Sequence, residues 1–497
     1  MNNILLISFY NQKSLGLRYL ENALTAHGYN VKTVFFKKFN SVSPQEAADE
    51  EIEILKKLIT EFKPILVGLS AMVSLYMETV ERVNGCIKAA FGMPVVWGGV
   101  YATMFPELCM KKADFVIRGE GEEAIVELAG MIKSGKGDYS SVKNLAYHQE
   151  GRVMINELRE FIVELDKYGV PAIGGNKCLI ENKMVIEGDP QIRALSYELT
   201  ASRGCPFACS YCCAINLRRI GAKKGRYVRF RDVDSVLEEL RNAKAQMNNL
   251  KVIHFWDEIF CDDVEWIDQF VARYKKEINL PFEIWGHPLK CGDELVRKLR
   301  GAGLYKVVMG IQSGSPYIRK NIFNRPESQK DILDSSKVLS RNKVPQVIYD
   351  FMLRHPFETH DTIRETYELA ARLEPPFQLQ LHGLNFLPGT DIVQTALNEG
   401  VVSPEEMEQH MNASIQDQYK TYWQLETADE AIHFWYSLTY LTQFPLLRAK
   451  AQKLAKGEIT SGSMKEAETL CKLGAKLEKL RYLYNKGMIV MKGTLGI

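Results

Sequence analysis

The sequence predicts an α/β protein with two successive sheet-bearing domains and a helical C-terminal region. Three observations carry that expectation. Short apolar runs rich in Val, Ile and Leu alternate with helix-period segments over residues 1–135. The same alternation resumes near residue 194 and runs through six units. After Pro388-Gly389 the strand-like runs stop, and residues 403–490 keep only helical periodicity. At 497 residues the chain also exceeds what one core serves, since cores of that size divide into domains of roughly 100–200 residues.

In the first domain, buried parallel strands are expected at 3–10 (NILLISFY), 30–36, 65–72, 94–99 and 113–119. Helical patterns such as LGLRYLENALTAHG lie between them, with Gly28 and Gly92 as C-terminal stops. Five βα units predict a doubly wound sheet, and such sheets bind ligands at the carboxyl ends of their strands. Residues 145–155 read as a hairpin turning at Glu150-Gly151. Residues 156–193, with Pro171, Gly174, Gly175 and Pro190, read as an irregular connector. The expected divisions are 1–140, a hairpin and connector at 141–193, a second domain at 194–395 and a helical domain at 396–497.

In the second domain, strands are expected at 195–202, 251–258, 282–287, 306–313, 346–353 and 379–386. Helices are expected between them, including 233–246, 263–277, 328–342 and 361–373. Six βα units predict a partial (β/α)6, TIM-like barrel, a form that carries its chemistry at the strand ends. The C-terminal helices are rich in aromatics: Tyr419, Tyr422, Trp423, Phe434, Trp435, Tyr436, Tyr440 and Phe444. Those rings either cap the barrel mouth and border a substrate pocket, or form a core face at helical spacing.

A net charge of +2 gives no general argument for nucleic acid or for an anionic membrane surface. No apolar run approaches the ~20 residues of a membrane span. The opening MNNILLISFY shows no basic leader and no cleavage site. Ten cysteines in such a chain predict reduced thiols in a cytoplasmic protein, without a disulfide framework.

Four of those cysteines crowd into ELTASRGCPFACSYCCAIN, residues 198–216. Cys205, Cys209 and Cys212 form C-x3-C-x2-C where a strand enters a loop containing Gly204 and Pro206. Three thiolates on one loop can converge on an iron–sulfur cluster, zinc or copper(I). Zinc would need a fourth ligand, and buried free cysteines are the plain alternative. Three ligands on a four-iron cluster leave one iron open. With Tyr211 before the last cysteine, the segment resembles the radical S-adenosylmethionine (SAM) superfamily, in its B12-binding and methylthiotransferase-like branches. The resemblance implies a [4Fe–4S] cluster on Cys205, Cys209 and Cys212, with SAM on the open iron. It implies cleavage of SAM to a 5′-deoxyadenosyl radical, and shielding of the cluster by Phe207 and Tyr211. Cys213 lies outside the motif and reads as a packed thiol.

The resemblance continues along the second domain. FWDEIF (255–260) occupies the position where the family binds the SAM amino group, so Asp257 or Glu258 is expected to accept that ammonium; an N-cap is the alternative. GIQSGS (310–315) occupies the fourth-strand position, where Gln312 and Ser313 would contact the SAM ribose or carboxylate; a tight turn is the alternative. FMLRHPFET (351–359) departs from the family's small G-x-P run and places Arg354 and His355 toward substrate or SAM, although a lone histidine is more often structural. The basic stretch 217–231 reads as a solvated, partly SAM-proximal loop in preference to a nucleic-acid contact.

The first domain resembles the cobalamin-binding domain, flavodoxin-like in winding. Ser70 matches the serine after the third strand, and Gly98 and Gly99 match the Gly-Gly after the fourth. Small residues there would open a slot for the dimethylbenzimidazole tail, with Ser70 able to hydrogen-bond the base. One departure stands out. Where the family's D-x-H-x-x-G loop supplies a cobalt-ligating histidine in some members, this chain has Asn11 and Lys13. A protonated lysine cannot ligate cobalt. Cobalamin without a histidine ligand from this loop is therefore expected, or a relic domain without cofactor.

Together the resemblances, over roughly residues 1–395, imply a cobalamin-dependent radical SAM enzyme. The expected reaction is methylation of an unactivated carbon through the 5′-deoxyadenosyl radical and methylcobalamin. An oxidative cyclase or rearrangement enzyme, as in relatives of the anaerobic magnesium-protoporphyrin ester cyclase, is the alternative. A non-catalytic cobalamin- or SAM-binding sensor is the alternative from another class. Expected partners are a small-molecule, lipid or peptide substrate and a reductant such as flavodoxin or ferredoxin.

Overall fold

A computed structural model describes residues 2–40, 44–135, 138–425 and 427–495. In the first domain, β1 (Asn3–Phe9), β2 (Asn30–Phe36), β3 (Leu66–Ser70), β4 (Val95–Gly98) and β5 (Phe115–Ile117) fall within the expected runs. They are parallel, in the order β5-β4-β3-β1-β2. Helices cover both faces, which is why β1 is apolar without alternation: Ile4, Leu5, Leu6 and Ile7 are all buried, between two separate clusters. The order reverses between β1 and β3, and the loops there part to leave a crevice.

The hairpin β6 (Leu145–Gln149) and β7 (Arg152–Ile155) adds antiparallel strands beside β5, as expected. The connector is less irregular than its sequence suggests. It contains β8 (Lys177–Glu181), which runs parallel to β2, and β9 (Met184–Glu187), which returns antiparallel. Their turn, Asn182-Lys183, has positive φ at both residues, 50° and 61°. That geometry matches the twist of a tight hairpin. The pair covers the β2 edge and closes a nine-stranded sheet.

The second domain begins with β10 (Ser196–Leu199). A small antiparallel pair, β11 (Ser202–Arg203) and β12 (Arg229–Phe230), stands at its exit. Then follow β13 (Val252–Phe255), β14 (Phe282–Gly286), β15 (Leu304–Gln312), β16 (Gln346–Leu353) and β17 (Gln378–Gly383). The six long strands are parallel, ordered β10-β13-β14-β15-β16-β17, and do not close. Outward residues such as Tyr197, Leu199, Ile253 and Phe255 pack under the surrounding helices. The opposite parity carries Glu198, His254, Glu283, Lys306, Asp350 and His382 on the lumen face.

The C-terminal region is helical, as expected: Pro404–Met411, Ile415–Trp423, Glu430–Leu441, Pro445–Ala455 and Ser461–Leu495. Phe434, Trp435, Tyr436 and Phe444 join the barrel's own core, so packing explains most of the aromatic content. Tyr419 instead reaches the first domain, with its hydroxyl 3.1 Å from that of Tyr76.

Ion pairs bind the domains. Arg203 donates to Glu120 (3.1 Å) and Glu122 (2.6 Å), and Arg229 to Glu120 (2.8 Å). Arg18 forks onto Asp189 at 2.7 and 2.8 Å. Two arginines of the basic 217–231 stretch, Arg229 and Arg231, are thereby structural: Arg231 pairs with Asp166 (2.8 Å) and with buried Glu239.

Candidate functional site

The cysteine loop leaves the barrel at β11. Gly204 turns it with φ +92°, in space where a Cβ would overlap the Tyr227 carbonyl. The loop is compact: the Cys212 amide donates to the Cys209 carbonyl (3.1 Å), and the Ala214 amide to the Cys212 sulfur (3.5 Å). Burial pushes the Cys205 thiol up to about 12 and raises Cys209. Cys212 is raised by the Cys213 thiol beside it and by burial. Thiols in such a setting become thiolates against a positive centre, and three soft sulfurs suit iron. Among the described residues, no three Cys, His, Asp or Glu side chains approach closely enough to hold a single ion. A four-iron cluster would be held by the three thiolates jointly, without the single-ion site that zinc needs. Phe207 stacks on His287 at 3.7 Å between ring centroids, and the buried Tyr211 hydroxyl accepts from Arg325 (2.8 Å). Both rings wall the loop.

The two carboxyls after β13 part company. Asp257 is buried and accepts from the Ala201 amide (3.0 Å) and from the Ser202 hydroxyl. It braces the strand exit that delivers the cysteines, so the pair's reach toward a ligand falls to Glu258. Glu258 is exposed and lies near enough to Cys205 and Cys212 for its charge to raise their thiols, while burial raises its own carboxyl. At β15 the residues also separate. Gln312 holds a left-handed φ of 69°, rare for a side chain of its size, and its buried Oε1 has no partner among the described residues. Ser313 turns away: its hydroxyl accepts from the Ser315 amide (3.1 Å) and faces Thr366. Its expected SAM contact is not supported by this orientation. His355 likewise does not face the cleft. It is packed near Phe323 and Phe357, and burial pushes it down to about 3, a neutral core ring. Arg354 uses its amide to reach Glu358 and the Tyr436 hydroxyl, both at 2.9 Å.

In the first domain a cavity of about 290 Å³ opens at the crevice. Ser70, Gly98 and Gly99 line it together. A Cβ on Gly98 would meet only the Ile117 carbonyl, at 3.9 Å, so its missing side chain is open slot. Gly99 has φ +105° and lies against the Ala71 carbonyl, where a Cβ would stand at 2.8 Å. A narrow, apolar, glycine-walled slot fits a flat heteroaromatic base. Lys13 does not line it. Asn11 caps its loop, accepting from the Lys13 and Ser14 amides (3.0 and 2.9 Å), and the Lys13 ammonium reaches the Ser196 hydroxyl (3.0 Å) and Glu198 on the barrel.

Sequence reasoning missed several neighbours. Thr200 and Arg203 of the barrel line the same slot, with Glu120 and Glu122. The adjacency of Arg203 to Cys205 was a visible signal, but its acid partners lie some eighty residues away in sequence. Asp350, His382 and Tyr422 converge in the lumen beside Gln312. Nothing local marks them.

Comparison with known proteins agrees with both halves. The radical SAM superfamily model matches residues 199–370, and the B12 binding domain model matches residues 5–129. An uncharacterized methyltransferase of Pyrococcus horikoshii is 26% identical over 338 residues, covering 66% of this chain and 68% of its own. The radical S-adenosylmethionine methyltransferase TsrM from Kitasatospora setae, with tryptophan substrate and a SAM analog bound, superposes with a TM-score of 0.67. It is 16% identical, with 96% of this chain and 100% of that chain covered. The cobalamin-dependent S-adenosylmethionine radical enzyme OxsB, with aqua-cobalamin and SAM bound, gives 0.65 at 14% identity, covering 100% and 75%. Among the described residues, no helix is long and apolar enough to cross a membrane.

Proposed function

We propose that this chain, a radical SAM superfamily enzyme with a B12-binding domain, methylates an unactivated carbon of a small molecule. One observation carries the reading. Thr200 and Arg203, just before Cys205, share a cavity wall with Ser70, Gly98 and Gly99. The cluster loop and the cobalamin slot are thus neighbours across one domain boundary. When bound, the cluster and SAM supply a radical that takes a substrate hydrogen, and cobalamin supplies the methyl group.

The chain's own residues position these groups. Cys205, Cys209 and Cys212 hold the cluster. Glu258 accepts the SAM ammonium, and Gln312 accepts from the ribose. Ser70, Gly98 and Gly99 seat the base of cobalamin. Arg203, clamped to Glu120 and Glu122, shuts the slot beside the cysteine loop. Lys13 is engaged by Glu198, so this loop would offer no side-chain ligand to a bound cobalamin. A one-electron donor such as flavodoxin or ferredoxin supplies the reductant. The methyltransferase name of the Pyrococcus relative supports the choice over a cyclase.

Anaerobic reconstitution with iron, sulfide and hydroxocobalamin is expected to give about four irons and one cobalt per chain. With methyl-labelled SAM and reductant, label is expected to remain with the cobalamin after quenching. Release of 5′-deoxyadenosine with no label on cobalamin would overturn the methyl-transfer reading and leave radical chemistry standing.

A further inference from the structure

Three buried side chains meet in the barrel lumen with polar atoms the protein leaves unmatched. Gln312, Asp350 and His382 sit toward the carboxyl ends of β15, β16 and β17, with 7%, 8% and 3% exposure. Gln312 Nε2 donates to Asp350 Oδ2 (3.2 Å), which leaves Gln312 Oε1 without a partner among the described residues. His382 Nε2 stands 3.1 Å from Asp350 Oδ1, an ion-pair distance without the alignment of a hydrogen bond.

The other ring nitrogen fixes the chemistry. His382 Nδ1 lies 3.1 Å from the Gly383 carbonyl, which only accepts, so Nδ1 carries a hydrogen. A singly protonated ring would then aim a bare Nε2 at a carboxylate oxygen, acceptor against acceptor. The contact is favourable only when the ring carries its second proton and faces the carboxylate as a cation. Burial opposes that charge, but the Asp350 carboxylate outweighs it, and His382 is held above the ordinary histidine range. Tyr422 stacks on the ring at 4.4 Å and 20°, a face that favours a cation. The other titratable groups bearing on the pair are Tyr422 itself, kept neutral by burial and by Asp350, and Tyr419 beyond it. Arg325 lies behind Gln312, donating to the Gly310 carbonyl (2.7 Å).

We propose that Asp350 and His382 are positioning residues for SAM. The His382 cation fixes Asp350, Asp350 holds the Gln312 amide nitrogen, and the buried Gln312 carbonyl is thereby left oriented and unmatched, to accept from a ribose hydroxyl. Gly310 leaves the room: a Cβ there would stand 2.8 Å from Gln312 Nε2. The inference rests on the reading that SAM binds at Gln312. As pH rises past the ordinary histidine range, the ring loses its charge, its bare nitrogen faces the carboxylate, and the amide loses its orientation. SAM affinity then falls.

The test is anaerobic equilibrium dialysis of radiolabelled SAM against the cluster-reconstituted, full-length enzyme, between roughly pH 6 and pH 9. Wild type is expected to weaken about three- to tenfold across that range, the worth of one hydrogen bond. In Asp350→Asn, the new amide can accept from Gln312 and donate to a neutral His382, so the slope is expected to flatten by that three- to tenfold relative to wild type. In the SAM-free protein, NMR titration of the His382 ring should show a midpoint above the ordinary value, lost in Asp350→Asn. A flat wild-type profile, or the same slope in Asp350→Asn, overturns the proposal. Gln312→Ala separates the premise: it should weaken SAM at every pH. Unchanged binding there overturns both readings. Weakened binding there, with a wild-type slope in Asp350→Asn, overturns the dyad alone.

Discussion

At the scale of single residues, the cobalamin slot is defined by what is missing. Gly98 meets only a carbonyl at 3.9 Å where its Cβ would be, whereas Gly99 is held at φ +105° against Ala71. The two adjacent glycines therefore have different reasons to be glycine. Gly98→Leu adds a side chain without forcing the backbone, and the side chain fills the slot. The expected outcome is full iron with cobalt uptake lowered by about tenfold or more, measured by metal analysis after reconstitution. Equal cobalt in the variant would remove the slot from the argument. At Gly99 the same substitution would disturb the fold as well, so it could not distinguish the two effects.

At the scale of elements, the exit of β16 is bound to the helix Glu430–Leu441 through one buried acid. Glu358 accepts from the Tyr436 hydroxyl and from the Arg354 amide. Burial pushes its carboxyl up to about 7. A carboxyl raised in the folded state binds its proton more tightly there than in the unfolded chain. Its contribution is full below the unfolded value and is lost as pH rises through the folded one. Stability is thus expected to decline between about pH 4.5 and pH 7, by ~3 kcal/mol from this group. Glu358→Gln keeps an acceptor for both donors and removes the titration. The gap between its unfolding midpoints at pH 5 and pH 8, about the ends of that window, should be clearly narrower than the wild-type gap.

At the scale of the whole molecule, function depends on two domains holding one cavity between them. Arg203 and Arg229 meet Glu120 and Glu122 across that boundary. Arg203 and Glu120 keep some solvent contact, so removing one partner costs less than the ~3–5 kcal/mol of a fully buried pair. Arg203→Met is expected to weaken cobalamin retention and to open the boundary to limited proteolysis, although it alters neither Ser70 nor the glycines. Intact retention with wild-type proteolysis would show that the slot stands without the clamp. The lumen is shared in the same way. Tyr422 comes from the C-terminal helices and His382 from β17, yet they meet as one stacked pair.

Much of this protein was legible in its sequence because period and spacing are local. Runs of Val, Ile and Leu marked β1 to β5 of the first sheet, though not the parallel β8, and all six long strands of the barrel. C-x3-C-x2-C marked the three-cysteine loop after the first barrel strand, and Ser70 with Gly98-Gly99 marked residues that line one cavity. The hairpin at Lys177–Glu187 escaped because its turn, Asn182-Lys183, lacks glycine. Tertiary structure alone decided which neighbours face a cavity. Asp257 and Glu258 are adjacent, as are Gln312 and Ser313, and each pair divides between a bracing role and an open one. It also decided that His355 is core while His382 meets a carboxylate, and that Lys13 crosses to Glu198. The physical reason is that a side chain's partners are set by backbone direction at strand ends and by groups far away in sequence. Residue type and spacing along the chain carry neither.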